Sequence, residues 1–597
     1  MNKKIIYLIG IVLLPLILLP LIAFFTDELY VKYWENDLSP SNTINDSNIS
    51  KASSFDKSSI PAYSVDGFDW SLPKDTPIST NSGLIGEYDR GLDFTHNVFA
   101  MVRWDEANPQ KGQYDFSKFE ESLIYATPKK TLVRLEVNSI CEAPTWAQKQ
   151  LRSTPDKSLI FWDDAYIKLL KPFVKAFADR YANDPRIIGV QLGIGDGEYQ
   201  NNSCDFSNKD GWGEFWMSPE SIALAQSKYG FTPTIFEKQS KKIIDLYSEA
   251  FENNQGKLAF TNIGPTFSWT DIATPYNKKL RNIAKYVWEK GIGNRDGNIE
   301  LWMRYIDKAY GVQLRSLADG TCFLDFDEEH ANQTRNRYSG TENEFYGDKD
   351  YVIETNGPYK NQPYRFMVSS LRALQMRRNY ISIAGDSMAI LKDPIYKTQD
   401  FLRYLNLVLG KQIENTADVF ILLGERYVAS SSLTMFNDEP CVKNSNARKG
   451  VPIRSFGRWL TETSNSKPAL KVLLPESELY WGQDYTMPSG VDYEFMAREG
   501  NQFEFDINDT LIEKRCNKDC VVDIKITFKD TVSTELKFKY GNKKQIFKTS
   551  GDGKIKTATF RIQSDFKSNI SNTSKTTDFI ISSQNTIPLI MIRVNFL

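Results

Sequence analysis

Histidine is almost missing from this chain. Only His96 and His330 occur among 597 residues, so a histidine-rich metal centre or a Ser-His-Asp triad would have to rest on one of them. The sequence has no glycine-rich phosphate loop, no H-E-x-x-H and no paired C-x-x-C, and each of those chemistries loses its motif. Charge of one sign is missing too. Lys and Arg number 73 against 75 Asp and Glu, a formal net charge of −2, which gives no footprint for nucleic acid and no polybasic surface. These absences point to carboxylate chemistry with no metal, no cofactor and no nucleic-acid partner.

What is there is enough to build a large core. Apolar residues make up 41% and aromatics 13%. The length suggests two or three domains. Plentiful Trp and Tyr suit sugar binding and suit any large core equally. Six cysteines are scattered, and Cys516 and Cys520 lie within reach of a local disulfide in CNKDC. Ile5 to Phe25 carries no charge, follows Lys3 and Lys4, and precedes Asp27 and Glu28. At about 1.5 Å per residue it reaches about 31 Å, a bilayer core. We expect an N-terminal transmembrane helix, with the N-terminus in the cytoplasm and the bulk exported. A cleaved signal peptide is the rival, and it also places the bulk outside the cytoplasm. An oxidising compartment favours the Cys516–Cys520 bridge.

The expected segments are an anchor or signal at 1–28, a flexible Ser/Asn/Asp-rich linker at 29–61, a barrel at 62–460, a linker at 461–489 and an all-β sandwich at 490–597. The barrel expectation comes from alternation. Strand candidates are a first one within Ala62 to Tyr88, then NVFAMVRW (Asn97–Trp104), KTLVRLEVNSI (Lys130–Ile140), IIGVQLGIG, KLAFTNIG (Lys257–Gly264), GTCFLDFD (Gly320–Asp327), DYVIETNG and YISIAGDS (Tyr380–Ser387). Helical stretches separate several of them; in one, Tyr166, Leu169, Leu170, Phe173, Val174, Phe177 and Tyr181 recur at three and four. Eight strands alternating with helices predict an α/β (β/α)8 TIM barrel. After about Gly490 short alternating strands follow, the pattern of a β-sandwich.

In such a barrel the functional groups sit at the C-terminal ends of the strands. Glu198 closes IIGVQLGIGDGEYQ and Glu354 closes DYVIETNGPY. By count these are strands four and seven. The chain here resembles clan A of the retaining glycoside hydrolases, especially its β-galactosidase-like branch. The resemblance is carried by WDEANPQKGQYDFSKFEESL (Trp104–Leu123), by SICEAPTWAQ (Ser139–Gln148) and by FADRYANDPRIIGVQLGIGDGEY (Phe177–Tyr199). The C-terminal strands resemble the jelly-roll modules often appended to glycosidases.

The resemblance implies a carbohydrate substrate, with Glu198 as acid/base and Glu354 as nucleophile in a double displacement. The clan has Asn immediately before the acid/base; here that position is Gly197. This leaves Asp196 or Asn138 to supply the sugar contact, or implies a different sugar preference, or a barrel that binds without cleaving. Arg103 is placed either to hold Glu354 ionised or in a solvent salt bridge. Trp104, Trp146, Trp269 and Tyr359 follow strand ends, where they stack on sugar or pack in the core. Trp212 and Trp216 fit an outer subsite, and His330 fits a hydroxyl contact or the plain surface.

Overall fold

The structure, a computed structural model, describes residues 62–79, 81–86, 95–195, 197–209, 213, 219–262, 274–296, 308–317, 319–343, 362–383, 395, 397–428, 433, 435–444, 450–463, 469–471, 497–516, 520–564, 566 and 577–597. β1 (Tyr63–Asp66) is followed by β2 (Gly83–Gly86), β3 (Asn97–Arg103), β4 (Lys130–Glu136), β5 (Ile187–Leu192), β6 (Leu258–Asn262) and β7 (Gly293–Asp296). A hairpin of β8 (Val312–Ser316) and β9 (Cys322–Phe326) comes next, then β10 (Ser339–Asn343) and β11 (Tyr380–Ile383). β2 to β7 with β10 and β11 close into a barrel of eight strands, paired in parallel throughout.

Alternation within each barrel strand sorts side chains between two cores. In β4, Val133 and Leu135 join the layer under the helices, while Leu132 joins the barrel interior. Ile85, Ala259, Tyr338 and Tyr380 complete that interior floor. The helix Asp164–Tyr181 shows why the outer layer forms. Asp163 caps it by accepting from the Ala165 amide at 3.0 Å. Its buried face is Tyr166, Leu169, Leu170, Phe173, Val174, Phe177, Ala178 and Tyr181, and each large apolar side chain there contributes about 1.5–3 kcal/mol of burial.

Two barrel strands differ from expectation. Strand six is GNRD and strand seven is SGTEN. GTCFLDFD, expected as strand six, leaves the barrel: β9 pairs with β8 and runs parallel to β13 (Val451–Arg458). A Cys322–Cys441 disulfide holds β9 at that edge. DYVIETNG lies outside the described residues. The physical reason is side-chain destination. Apolar runs mark strands buried on both faces, and β7 and β10 send a charged residue inward instead.

The expected fold class is corrected on two further points. The late strands are not a separate all-β sandwich. After β12 (Asp418–Val428) and β13 come β14 (Leu460–Glu462), β15 (Ala469–Lys471), β16 (Ala497–Ile507), β17 (Cys520–Lys529), β18 (Glu535–Tyr540), β19 (Lys543–Lys548), β20 (Ile555–Ser564) and β21 (Phe579–Phe596). All of these join β1, β8 and β9 in one mixed sheet of thirteen strands. The first part of β21 pairs with β16 and β18, and its last part with β12 and β17. One face of the sheet shares a core with the barrel's own helices and with β11: Leu422, Ile453, Phe456 and Met591 pack with Phe366, Leu371, Phe401 and Ile381. The transmembrane helix is the second correction. No described helix is long and apolar enough to cross a membrane, and residues 5–25, which carried that expectation, lie outside the described residues. Three disulfides, Cys141–Cys204, Cys322–Cys441 and Cys516–Cys520, use all six cysteines.

Candidate active site

Above the apolar floor the barrel interior turns polar. In β4 the inward positions after Leu132 are Arg134 and Glu136, both buried. Arg134 donates from Nε to the Gln191 Oε1 of β5 at 2.7 Å and lies 4.8 Å above the Phe99 ring. Across the ring Arg295 of β7 pairs with Glu342 of β10 at 2.5 Å, and both side chains are buried. The neighbour Asn343 turns the other way and bonds Ser369 and Ser370 of the helix Gln362–Gln375. That fixes Glu342 as the inward carboxylate near the C-terminal end of strand seven. Sequence reading missed it because SGTEN has no apolar signal; the alternation of Tyr338, Gly340 and Glu342 is the clue that was available.

The loops after strands three and four are stitched together over this end. Cys141–Cys204 links them. The Gly197 amide donates to Ser158 Oγ at 3.2 Å, and the Tyr199 amide to the Asp156 carbonyl at 2.8 Å. Glu142 sits beneath, fully buried. It accepts from the Asn138 and Ser139 amides at 3.3 and 3.2 Å and from the Tyr199 hydroxyl at 3.2 Å. The Lys209 ammonium contacts both Glu136 and Glu142. Burial pushes the Glu142 carboxyl up to about 7, against the pull of its hydrogen bonds and Arg103. Burial pushes Lys209 down to about 6, with Arg134 and Arg103 adding repulsion. The ammonium's contact with two carboxylates acts in the opposite direction and favours the charged pair.

Glu198 follows this stitched loop. It is half-buried and flanked by buried Gly197 and Tyr199. Gly197 has a packing reason. A Cβ there would collide with the Asn138 carbonyl and the Ser139 amide, so no asparagine fits at that position without moving the strand-three loop. Gly213, at φ +73°, closes on the Asn138 amide from the other side. Asn138 is thus held where the loops after strands three and four meet.

The other expected site residues divide. Arg103 is bidentate to Asp105, at 3.0 and 2.8 Å, and reaches the Cys141 carbonyl at 3.3 Å. Its described ion pair is therefore with its own loop. Trp104 is corrected to a core residue: it is fully buried and packs edge-on to Trp146 and stacked with Phe173. Trp146 is half-buried, with its indole N–H donating to the Asn108 carbonyl at 3.0 Å. His330 is also corrected. It stacks on Trp288 at 4.0 Å outside the barrel, and burial pushes it down to about 3. Asp196, Trp212, Trp216, Trp269, Glu354 and Tyr359 lie outside the described residues.

No family model matches the chain, and no curated protein matches it. Solved structures similar to it include an intracellular xylanase from Thermoanaerobacterium saccharolyticum with xylotriose, 13% identical at a TM-score of 0.28, covering 52% of this chain and 89% of that one. Another is a xylanase from Thermotoga petrophila with xylobiose, 11% identical at 0.28, covering 54% and 94%. A third is a broad-specificity endoglucanase from an uncultured bacterium, 8% identical at 0.29, covering 52% and 81%.

Proposed function

We propose that the chain is a retaining glycoside hydrolase that cleaves O-glycosidic bonds of an oligo- or polysaccharide by double displacement. Glu198, after strand four, is the acid/base. Glu342, on strand seven, is the nucleophile, and it displaces Glu354 from that role. The observation that carries the reading is the buried, inward Glu342 beside Arg295 on a closed parallel barrel. The guanidinium supplies the opposite charge that a carboxylate nucleophile needs in a dry site. Retention requires the two carboxyls about 5–5.5 Å apart. Asn138 and Glu142, buried beneath the stitched loops, hold the strand-three loop in place beside Glu198. An oxidising location outside the cytoplasm fits the three disulfides.

The test is hydrolysis of a panel of aryl β-glycosides and glycans by the wild type and by Glu198→Gln, Glu342→Gln and Glu354→Gln. Activity that is lost in the first two and kept in the third supports the assignment. Near-normal turnover by Glu342→Gln removes it from the mechanism. Glycan binding without cleavage by the wild type would make the chain a carbohydrate-binding barrel instead.

A further inference from the structure

Cys204 stands apart from the other cysteines. It is exposed, whereas Cys322, Cys441 and Cys516 are buried and Cys141 and Cys520 are half-buried. Its partner, Cys141, directly precedes the buried Glu142 in the loop after strand three. Cys204 itself lies in the loop after strand four, between Tyr199 and Lys209. Those two residues pair with each other in an isolated antiparallel bridge and form the foot of that loop.

The foot rests on Glu142. The Tyr199 hydroxyl donates to Glu142 Oε1 at 3.2 Å, and the Lys209 ammonium meets the same oxygen. Towards the tip, the Ser203 amide donates to the Gln200 carbonyl, the Asp205 amide to Ser203 Oγ, the Ser207 amide to Asp205 Oδ1 and the Asn208 amide to the Asp205 carbonyl. These hydrogen bonds stay within the loop. The covalent tie from the tip to the strand-three loop is the disulfide. Glu198 enters immediately before Tyr199, and the Gly197 amide before it is held by Ser158. The backbone that carries Glu198 is therefore set by how this loop sits on Cys141 and Glu142. Glu342 has a different seat: it is on a barrel strand, paired with Arg295.

We propose that Cys141–Cys204 is a positioning strap for Glu198, the first bridge that a dithiol opens, and that opening it impairs acid catalysis while the nucleophile stays in place. This deepens the hydrolytic reading and rests on it. The disulfide touches no substrate and acts through Glu198. Misplacing a reacting group by about 1 Å can cost about 10²-fold in rate. In the opening step a dithiol's thiolate attacks the sulfur of the exposed Cys204, and Cys141 leaves as a thiolate that takes up a proton. The second thiol then attacks the mixed disulfide and releases Cys204, so the dithiol is oxidised to a cyclic disulfide as the bridge is reduced to two thiols.

The leaving group separates this role from a plain structural one. A 2,4-dinitrophenolate departs without a proton, so its glycoside has no need of Glu198 as acid, whereas an alkyl glycoside of the same sugar does. The full chain is treated with dithiothreitol without denaturant, and the freed thiols are alkylated and located by mass spectrometry. The kcat/KM on both glycosides is then measured, with Tm alongside. A Cys141→Ser, Cys204→Ser double variant gives a second route to the open loop. The expected result is labelling of Cys141 and Cys204 before the other cysteines. With the bridge open, kcat/KM falls at least about 10-fold on the alkyl glycoside and less than about 3-fold on the dinitrophenyl one, and reoxidation before alkylation restores it. An equal fall on both glycosides, an unchanged rate on the alkyl glycoside, or earlier opening of another bridge overturns the strap alone. Failure of the untreated protein to cleave any glycoside defeats the hydrolytic reading, and the strap with it.

Discussion

The barrel interior and the sheet interior both bury charge, and they place it differently. One core of the sheet is hydrocarbon: Phe538 stacks on Phe560 and lies against Phe579, with Ile524, Ile526 and Val594 around them. The barrel has a hydrocarbon floor too, but above it come Arg134, Gln191, Arg295, Glu342, Glu136 and Lys209, all buried. Such a layer costs stability through desolvation unless each charge meets a partner. The sheet buries charge as well, in ion pairs between its strands: Arg454 and Arg498 meet Glu462, and Arg593 meets Asp418. In the barrel the buried charges gather beneath the loops that follow strands three and four, where the proposed site is.

The largest effect that sharpens this contrast is on rate. Glu342→Gln is expected to lower turnover by at least about 10³-fold, measured on whichever glycoside the wild type cleaves. A stability effect comes second. Lys209→Met leaves Glu136 and Glu142 facing each other without their cation, and urea unfolding is expected to show a loss of about 3–5 kcal/mol. Phe538→Ala is expected to cost a similar amount, about 3–5 kcal/mol through cavity formation, but with kcat/KM unchanged in the fraction that remains folded. A fall in kcat/KM there would break the division of labour between the two regions.

The smallest effect is a pH slope in the sheet. Burial pushes Asp578 up from 3.8 to about 8, with Asp506 and Asp509 adding repulsion, while the Ile507 amide pulls the other way. The folded state therefore keeps a proton that the unfolded chain releases at lower pH. The stability this group contributes is present in full below its ordinary value of 3.8 and is lost as pH rises toward 8. Asp578→Asn is expected to remove that part of the decline, read from unfolding midpoints between pH 4 and 9.

The same contrast governs what could be read from the residues alone. NVFAMVR, KTLVRLE and IIGVQL are legible as strands because their runs supply Val102, Val133, Leu135, Val190 and Leu192 to the apolar layer under the helices. The helix Asp164–Tyr181 is legible because its whole inner face is large and apolar. GNRD and SGTEN are not, because their inward positions carry Arg295 and Glu342 in place of hydrocarbon. GTCFLDFD misleads for the converse reason: it is a good buried strand that belongs to the sheet. Lys209 could not be assigned to Glu136, 73 residues away, because no local pattern records an ion pair. Gly197 carries no local sign of its role, because the backbone it packs against belongs to Asn138, in another loop.

The most direct measurement is covalent trapping. The protein is reacted with activated 2-deoxy-2-fluoro glycosides matching the sugars it hydrolyses, then digested and analysed by mass spectrometry. The expected result is a glycosyl label on Glu342. A label on Glu354 or elsewhere, or no label from any such compound while the wild type turns over the parent glycoside, would contradict the account.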